Sequence, residues 1–158
     1  MSNYVPTVED LQEIADQVWV SYLDPEGVNP LMPLGEGAQF SGDMHASVSI
    51  TGSWHGHVVV ACSAGAAKQA AAAFLMMEPE EVSEADLADV LGELANIIGG
   101  NVKSMLPDGC FISLPHVVTV PTSANHWPAA EQICELAGLW GGEQISISMW
   151  QSRAEVAS

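Results

Sequence analysis

Three stretches of the chain carry apolar residues at the spacing of one helix face. The first follows Thr7, which together with Glu9 and Asp10 is typical of a helix start. The second, AAKQAAAAFLMM, follows Ser63, whose hydroxyl can cap a helix, and it ends near Pro79. These patterns predict an amphipathic N-terminal helix and an alanine-rich helix that packs tightly against a neighbouring element.

The third stretch predicts the longest element of the chain. Ser83 with Asp86 three residues later resembles a capping box, and Pro107 with Gly109 ends the pattern. The sequence therefore predicts a helix of about 22 residues that runs to Leu106.

Alternating apolar and polar residues predict the sheet. From Met44 the alternation leads through the turn-like GSWHG to HVVVAC, which is typical of a β-hairpin. CFISLPHVVTV is rich in β-formers, and EQICELAGLW and EQISISMW are joined by Gly141 and Gly142 as a second hairpin. Prolines and glycines predict a long loop over residues 24–42. The predicted fold class is α/β, of the α+β kind: one domain over residues 1–158, with a mostly antiparallel sheet packed by two long helices plus the N-terminal helix.

The acidic composition narrows the range of partners. The chain has 20 Asp and Glu residues against 3 Lys and Arg, which gives a formal net charge of −17. A surface of that sign repels nucleic-acid phosphates and anionic lipid head groups. We therefore expect neither nucleic acid nor a membrane as a partner.

Two further features favour a cytoplasmic location. The N-terminal stretch MSNYVPTVEDLQ lacks the basic and apolar parts of a signal peptide, and no apolar run reaches the ~18 residues of a membrane span. Cys62, Cys110 and Cys134 are far apart and lack the spacing of a zinc site or a disulfide framework. This usage of cysteine is typical of a reducing compartment.

His55 and His57 are a candidate metal-binding pair. On a strand, residues two apart share a face and could bind one ion; in a hairpin turn both imidazoles would simply be exposed. No third ligand is visible in the sequence, so we predict no metal site.

Residues 86–106, placed at about 100° per position, divide into three helix faces. The apolar face, expected in the core, comprises Leu87, Val90, Leu91, Leu94, Ile97, Ile98, Val102 and Met105. The second face, here called the polar ridge, comprises Asp86, Asp89, Glu93, Asn96, Gly100 and Lys103. The third, here called the small-residue face, comprises Ala88, Gly92, Ala95 and Gly99.

The glycines and the polar ridge are unusual within a helix of this length. A glycine inside a helix costs about 1 kcal/mol relative to alanine, so Gly92 and Gly99 favour close approach of another backbone. From periodicity alone, a polar ridge is typical of a solvated face. Alternatively, Glu93 and Asn96 form a binding surface that Gly100 keeps accessible to a partner.

The string DVLGELANIIGGNVKSML resembles the signature helix of the CheC/CheX chemotaxis phosphatases. That pattern is Asp or Ser, three residues, Glu, two residues, Asn, and a proline about twenty residues later. Asp89, Glu93 and Asn96 match it in order and spacing, and the later proline is Pro115 or Pro121. The order of predicted elements is similar to a CheX-type chain over about residues 44–150.

The resemblance implies a phosphatase that hydrolyses the aspartyl phosphate of a CheY-like response regulator. It implies that Asn96 positions the attacking water and that Glu93 binds a lysine of the regulator. The further contacts expected with the regulator are Asp89, Gly92, Gly100 and Lys103. Because the regulator brings its own Mg²⁺, the resemblance implies no cofactor for this chain.

A single copy of the signature helix is similar to CheX, which works as a homodimer, whereas CheC carries two copies. The resemblance therefore implies a homodimer. Trp127, beside Pro128, is a further candidate for contact with a partner. One alternative is a non-catalytic CheX-like module that binds a response regulator or signalling partner through the same ridge. Another is a homodimeric scaffold in which the polar ridge is only solvated.

Overall fold

The computed structural model describes residues 6–34, 42–119 and 130–152. Its α-helices are α1 (Val8–Val18), which continues as a π-helical turn over Trp19–Leu23, α2 (Ala64–Leu75) and α3 (Glu84–Met105), and Pro79–Glu81 forms a short 3-10 helix. Its strands are β1 (Met32–Pro33), β2 (Met44–Gly52), β3 (Gly56–Cys62), β4 (Cys110–Ile112), β5 (His116–Val118), β6 (Ala130–Trp140) and β7 (Glu143–Ser152). Residues 35–41 of the predicted loop, Pro121 and Trp127 lie outside the described residues.

The seven strands form one antiparallel sheet. Their order is β1-β6-β7-β3-β2-β4, and β5 also pairs with β2. The three helices contact the face of the sheet that carries Val48, Val58 and Ile147, all of which are buried in the main core. The predicted α+β fold, with an antiparallel sheet and three helices, is confirmed.

Both predicted hairpins are present. In the first, Val48 of β2 lies opposite Val58 of β3. In the second, β6 and β7 are joined by Gly141 and Gly142, whose φ angles are 61° and 84°. Positive φ angles are tolerated best by glycine, so these two residues allow the tight turn.

The predicted long loop over residues 24–42 contains one short strand, β1, which the sequence pattern did not indicate. Met32 and Pro33 pair with Leu139 and Gly138 of β6. A proline is tolerated here because β1 lies at the edge of the sheet, where the missing N–H does not interrupt a ladder. A Cβ atom at Gly138 would lie 2.6 Å from the Met32 carbonyl oxygen, so this strand pairing also depends on that glycine.

Two carboxylates beside the sheet help to fix the start of α2. The Ser63 hydroxyl oxygen accepts a hydrogen bond from the Ala66 N–H at 3.1 Å, as the sequence predicts. Ser63 in turn donates to Glu143 Oε1 at 2.8 Å, and the Ala64 N–H donates to Asp43 Oδ2 at 2.9 Å. The two carboxylates are favourable here because negative charge stabilises a helix N-terminus. Their hydrogen bonds also connect the start of α2 to the ends of β2 and β7.

Candidate functional site

Helix α3 carries the polar ridge and begins at the predicted capping box. Ser83 Oγ accepts from the Asp86 N–H at 3.1 Å, and Asp86 Oδ2 accepts from the Ser83 N–H at 2.9 Å. The helix has 22 residues and contacts both other helices and strands β2 to β5. The predicted start and length are therefore confirmed, and packing holds the helix in one orientation.

The apolar face of α3 lies in the core, as predicted. Its buried members are Val90, Leu91, Leu94, Ile98 and Val102. Leu87, Ile97 and Met105 are partly buried and pack against the same cluster. This anchoring leaves the polar ridge on the outside of the molecule.

The small-residue face allows the chain after α3 to return close beside the helix. A Cβ atom at Gly99 would lie 2.5 Å from Val48 Cγ2 and 2.9 Å from Ile112 Cδ1. A Cβ atom at Gly92 would lie 3.2 Å from Val117 Cγ2. Other elements therefore do come close to α3 at these glycines, but the nearest atoms belong to side chains of β2, β4 and β5 and of Pro115, not to the backbone that the glycines were expected to admit.

Four charged or amide side chains of the polar ridge are exposed and unengaged. They are Asp89, Glu93, Asn96 and Lys103. Within residues 6–34, 42–119 and 130–152, none of these side chains makes a hydrogen bond or ion pair. The structure therefore places Glu93 and Asn96 side by side, with their polar atoms available to a partner.

Asn101 provides a contrast on the same helix. Its side-chain amide donates to the Ile97 carbonyl oxygen at 2.9 Å, four residues back. This bond satisfies the amide within α3. Asn96 and Asn101 thus carry the same amide group, but only the Asn96 amide has no hydrogen-bond partner within the described residues and can bind a partner.

A groove of about 490 Å³ lies next to Asn96. One wall is formed by Asn96, Gly100, Lys103 and Ser104 of α3, and the other by residues 106–110 with Ile112. A Cβ atom at Gly100 would meet nothing within 4 Å, so this position leaves open space between Asn96 and Lys103. Sequence patterns did not indicate the groove, because its two walls are adjacent only after the chain folds back along α3.

Leu114 is a second feature that the sequence patterns missed. The chain after α3 passes Gly99 at Ile112 and reaches Gly92 at Pro115. Leu114 lies between these two residues in the sequence, and it is 88% exposed. The sequence did not indicate this exposure, because an apolar side chain in a β-rich stretch is expected to be buried. Whether Leu114 is covered depends on how this segment packs against α3, which only the tertiary structure determines. Of the two candidates for the signature proline, Pro115 lies among the described residues, and its side chain would lie 3.6 Å from a Cβ atom at Gly92.

The two histidines of the candidate metal-binding pair lie in different parts of the first hairpin. His55 is exposed in the turn between β2 and β3, whereas His57 belongs to β3. His57 Nδ1 lies 3.3 Å from Ser49 Oγ, and burial lowers the pKa of this imidazole. Across residues 6–34, 42–119 and 130–152, no three His, Cys, Asp or Glu side chains are grouped so as to hold a metal ion.

The three cysteines are free, and Cys62 and Cys134 are poorly suited to nucleophilic chemistry. Burial, with a smaller contribution from Asp43, raises the pKa of the Cys62 thiol to about 12. Burial, with a smaller contribution from Asp10, raises the pKa of Cys134 to about 11. Both thiols are therefore protonated at neutral pH.

In the part of the chain that the structure describes, no helix has the length and apolar character needed to cross a membrane.

Several solved structures of chemotaxis proteins have the same fold. A chain in the crystal structure of the CheX-CheY-BeF3-Mg²⁺ complex from Borrelia burgdorferi is 18% identical, with a TM-score of 0.73, covering 96% of this chain and 100% of that chain. CheX from Desulfovibrio desulfuricans is 17% identical, with a TM-score of 0.69, covering 90% of this chain and 96% of that chain. CheX from Vibrio vulnificus is 19% identical, with a TM-score of 0.67, covering 90% of this chain and 95% of that chain. At these identities the likeness establishes the fold.

The sequence itself matches a family model. No curated protein matches the chain. The model described as chemotaxis phosphatase CheX matches residues 44–135, which is more than half of the chain. Asp89, Glu93 and Asn96 lie inside this range. Together with the shared fold, the match shows that the chain belongs to the CheX family of chemotaxis phosphatases.

Proposed function

We propose that this chain hydrolyses the aspartyl phosphate of a CheY-like response regulator. The observation that supports this most is the pairing of Glu93 and Asn96, exposed and unengaged within the described residues, on a helix anchored in the core. Helix residues three apart lie about 5–6 Å from each other at Cβ, so both side chains can enter one site on a partner. Family membership and the CheX-CheY complex of B. burgdorferi support the choice of substrate.

Asn96 is proposed to position the attacking water. An acyl phosphate is already activated, so alignment of the nucleophile supplies most of the catalysis that a second protein can add. An amide can donate and accept hydrogen bonds without changing its charge, which suits it to holding a water in line with phosphorus. The water oxygen forms the new bond to phosphorus, the bond between phosphorus and the acyl oxygen breaks, and the acyl oxygen leaves as the regulator's aspartate carboxylate while the released phosphate keeps the water's protons. The Mg²⁺ that neutralises the phosphoryl group enters with the regulator.

Glu93 is proposed to bind the regulator's lysine and so to place Asn96 in register. Glu93→Ala is expected to lower kcat/KM for phosphate release by about 30-fold, because it leaves that lysine unpaired in the interface. Release of inorganic phosphate from the phosphorylated regulator measures this effect.

Glu84→Ala is a matched control for the Glu93 variant. Glu84 is also exposed on α3, but it lies in the first turn and outside the polar ridge. Removal of its charge should therefore leave the rate of phosphate release close to wild type. Equal rates for the two variants would show that Glu93 has no specific role in docking.

The remaining contacts proposed for the regulator differ in kind. Asp89 and Lys103 are exposed and can touch a partner directly, and Gly100 leaves space for one. Gly92 is buried against Val117, so its proposed role is indirect: it brings the chain around Pro115 close to the ridge.

A non-catalytic binding module would give a different result in the same assay. It would bind the activated regulator through the polar ridge without accelerating the loss of phosphate. Measuring affinity and phosphate release on the same wild-type sample therefore separates the two functions.

We also propose that the chain forms a homodimer, as the family resemblance implies. In the described part of the chain, no further strand pairs with the outer edge formed by β4 and β5. Such an edge is commonly covered by another chain or blunted by its short length. Size-exclusion chromatography with light scattering would give twice the 16.6 kDa chain mass for a homodimer.

A further inference from the structure

We propose that the groove beside Asn96 receives an acidic side chain of the regulator, which Lys103 binds. The inference rests on the proposed function, because the regulator is the partner. It specifies what Lys103, which lies outside the signature residues, binds on the regulator and where that group sits. The groove extends from Asn96 toward the end of α3, so an occupant would enter it while the ridge is engaged.

Lys103 places a positive charge beside the groove of a strongly acidic protein. The whole chain has 3 Lys and Arg residues against 20 Asp and Glu, and the described residues include two lysines, Lys68 and Lys103. Lys103 lines the groove, whereas Lys68 lies on α2. Neither lysine has an ion pair or hydrogen bond within the described residues. An exposed ammonium group that has no acidic partner within the described residues is complementary to a carboxylate from outside.

The position of Lys103 along α3 would also set the direction of docking. Glu93 and Lys103 are ten residues apart, which corresponds to about 15 Å along the helix axis. Asn96 lies between them, and Gly100 keeps the space toward Lys103 open. A regulator that offers a lysine to Glu93 and a carboxylate to Lys103 accepts α3 in one direction, because the reverse direction would oppose like charges.

Two competing roles for the charges in the groove can be separated by experiment. Lys103 lies in the last turn of α3, where a cation also stabilises the helix through its dipole. Asp108 lines the same groove, so a basic side chain of a partner could bind there instead. A purely helix-stabilising Lys103 would affect folding alone, whereas a basic occupant would make binding depend on Asp108.

The test compares Lys103→Glu with Lys68→Glu, which change the net charge of the chain equally. Affinity for a CheY-like regulator activated with beryllofluoride and Mg²⁺ is measured at low and high salt, and thermal unfolding is measured for each variant. Lys103→Glu is expected to raise Kd about tenfold at low salt, mainly through slower association, and less at high salt. Lys68→Glu should change Kd by less than about twofold. Asp108→Asn should leave Kd unchanged or lower it.

Equal losses of affinity for the two lysine variants would overturn the proposal, because they would reflect overall charge. A loss for Asp108→Asn with none for Lys103→Glu would also overturn it, in favour of a basic occupant. If the wild type bound the regulator without accelerating phosphate loss, the proposed phosphatase function would fail while the affinities still decided the Lys103 contact.

Discussion

Replacing Asn96 with alanine is expected to slow phosphate release from the phosphorylated regulator by about 100-fold or more, because the attacking water loses its alignment. Folding should be unaffected, since the side chain is exposed and makes no hydrogen bond within the described residues. The regulator should still bind through Glu93. The expected signature is therefore a lower kcat with little change in the affinity for activated regulator, measured by single-turnover phosphate release and by direct binding.

Asn101→Ala is the matched control, because it removes the same amide from the same helix. The Asn101 amide already donates to the Ile97 carbonyl and has no proposed contact with the regulator. Its removal should leave the rate of phosphate release within about twofold of wild type and change stability by only about 1 kcal/mol. Wild-type activity in Asn96→Ala, or equal losses in both variants, would rule out the proposed water-positioning role.

Replacing Gly99 with valine is expected to lower the free energy of unfolding by about 3 kcal/mol. The added Cβ would lie 2.5 Å from Val48 Cγ2, and Val48 is only 1% exposed in the main core. Neither side chain can move away without disturbing the packing between α3 and the sheet. Urea denaturation of the two proteins measures the difference.

Gly100→Val is the control for helix propensity and side-chain volume. The substitution is the same and the position is the next along α3, but the added Cβ would meet nothing within 4 Å. Because valine is a slightly better helix former than glycine, stability should stay the same or rise by a few tenths of a kcal/mol. Similar destabilisation of both variants would show that close packing at Gly99 is not the reason for that glycine. The folded Gly100→Val protein would also show whether a side chain at this position obstructs the regulator.

The secondary structure was largely predictable because its signals are local. Helix α3 is delimited by a capping box at Ser83 and by Pro107, and both signals involve residues a few positions apart. The second hairpin follows from two adjacent glycines between alternating stretches. Strand β1 was missed because Met32 and Pro33 are extended only through pairing with Leu139 and Gly138, over a hundred residues away.

The features of the candidate site likewise fall into those that the local sequence determines and those that depend on the tertiary structure. Periodicity of 3.6 residues per turn determines which side chains share a helix face, whatever surrounds the helix. The grouping of Glu93 and Asn96 on one ridge, and of Gly92 and Gly99 on another face, therefore follows from the sequence alone. The string DVLGELANIIGGNVKSML, which contains Asp89, Glu93 and Asn96, also resembled the family to which the chain belongs.

The surroundings of the ridge depend on the tertiary structure. The chain after α3 folds back against Gly99 and Gly92, and this places the groove next to Asn96 and leaves Leu114 exposed. No periodicity within α3 encodes that return path, because it is decided by the pairing of β4 and β5 with β2. The sequence thus determines which residues α3 presents to a partner, while long-range strand pairing determines the shape of the surface around them.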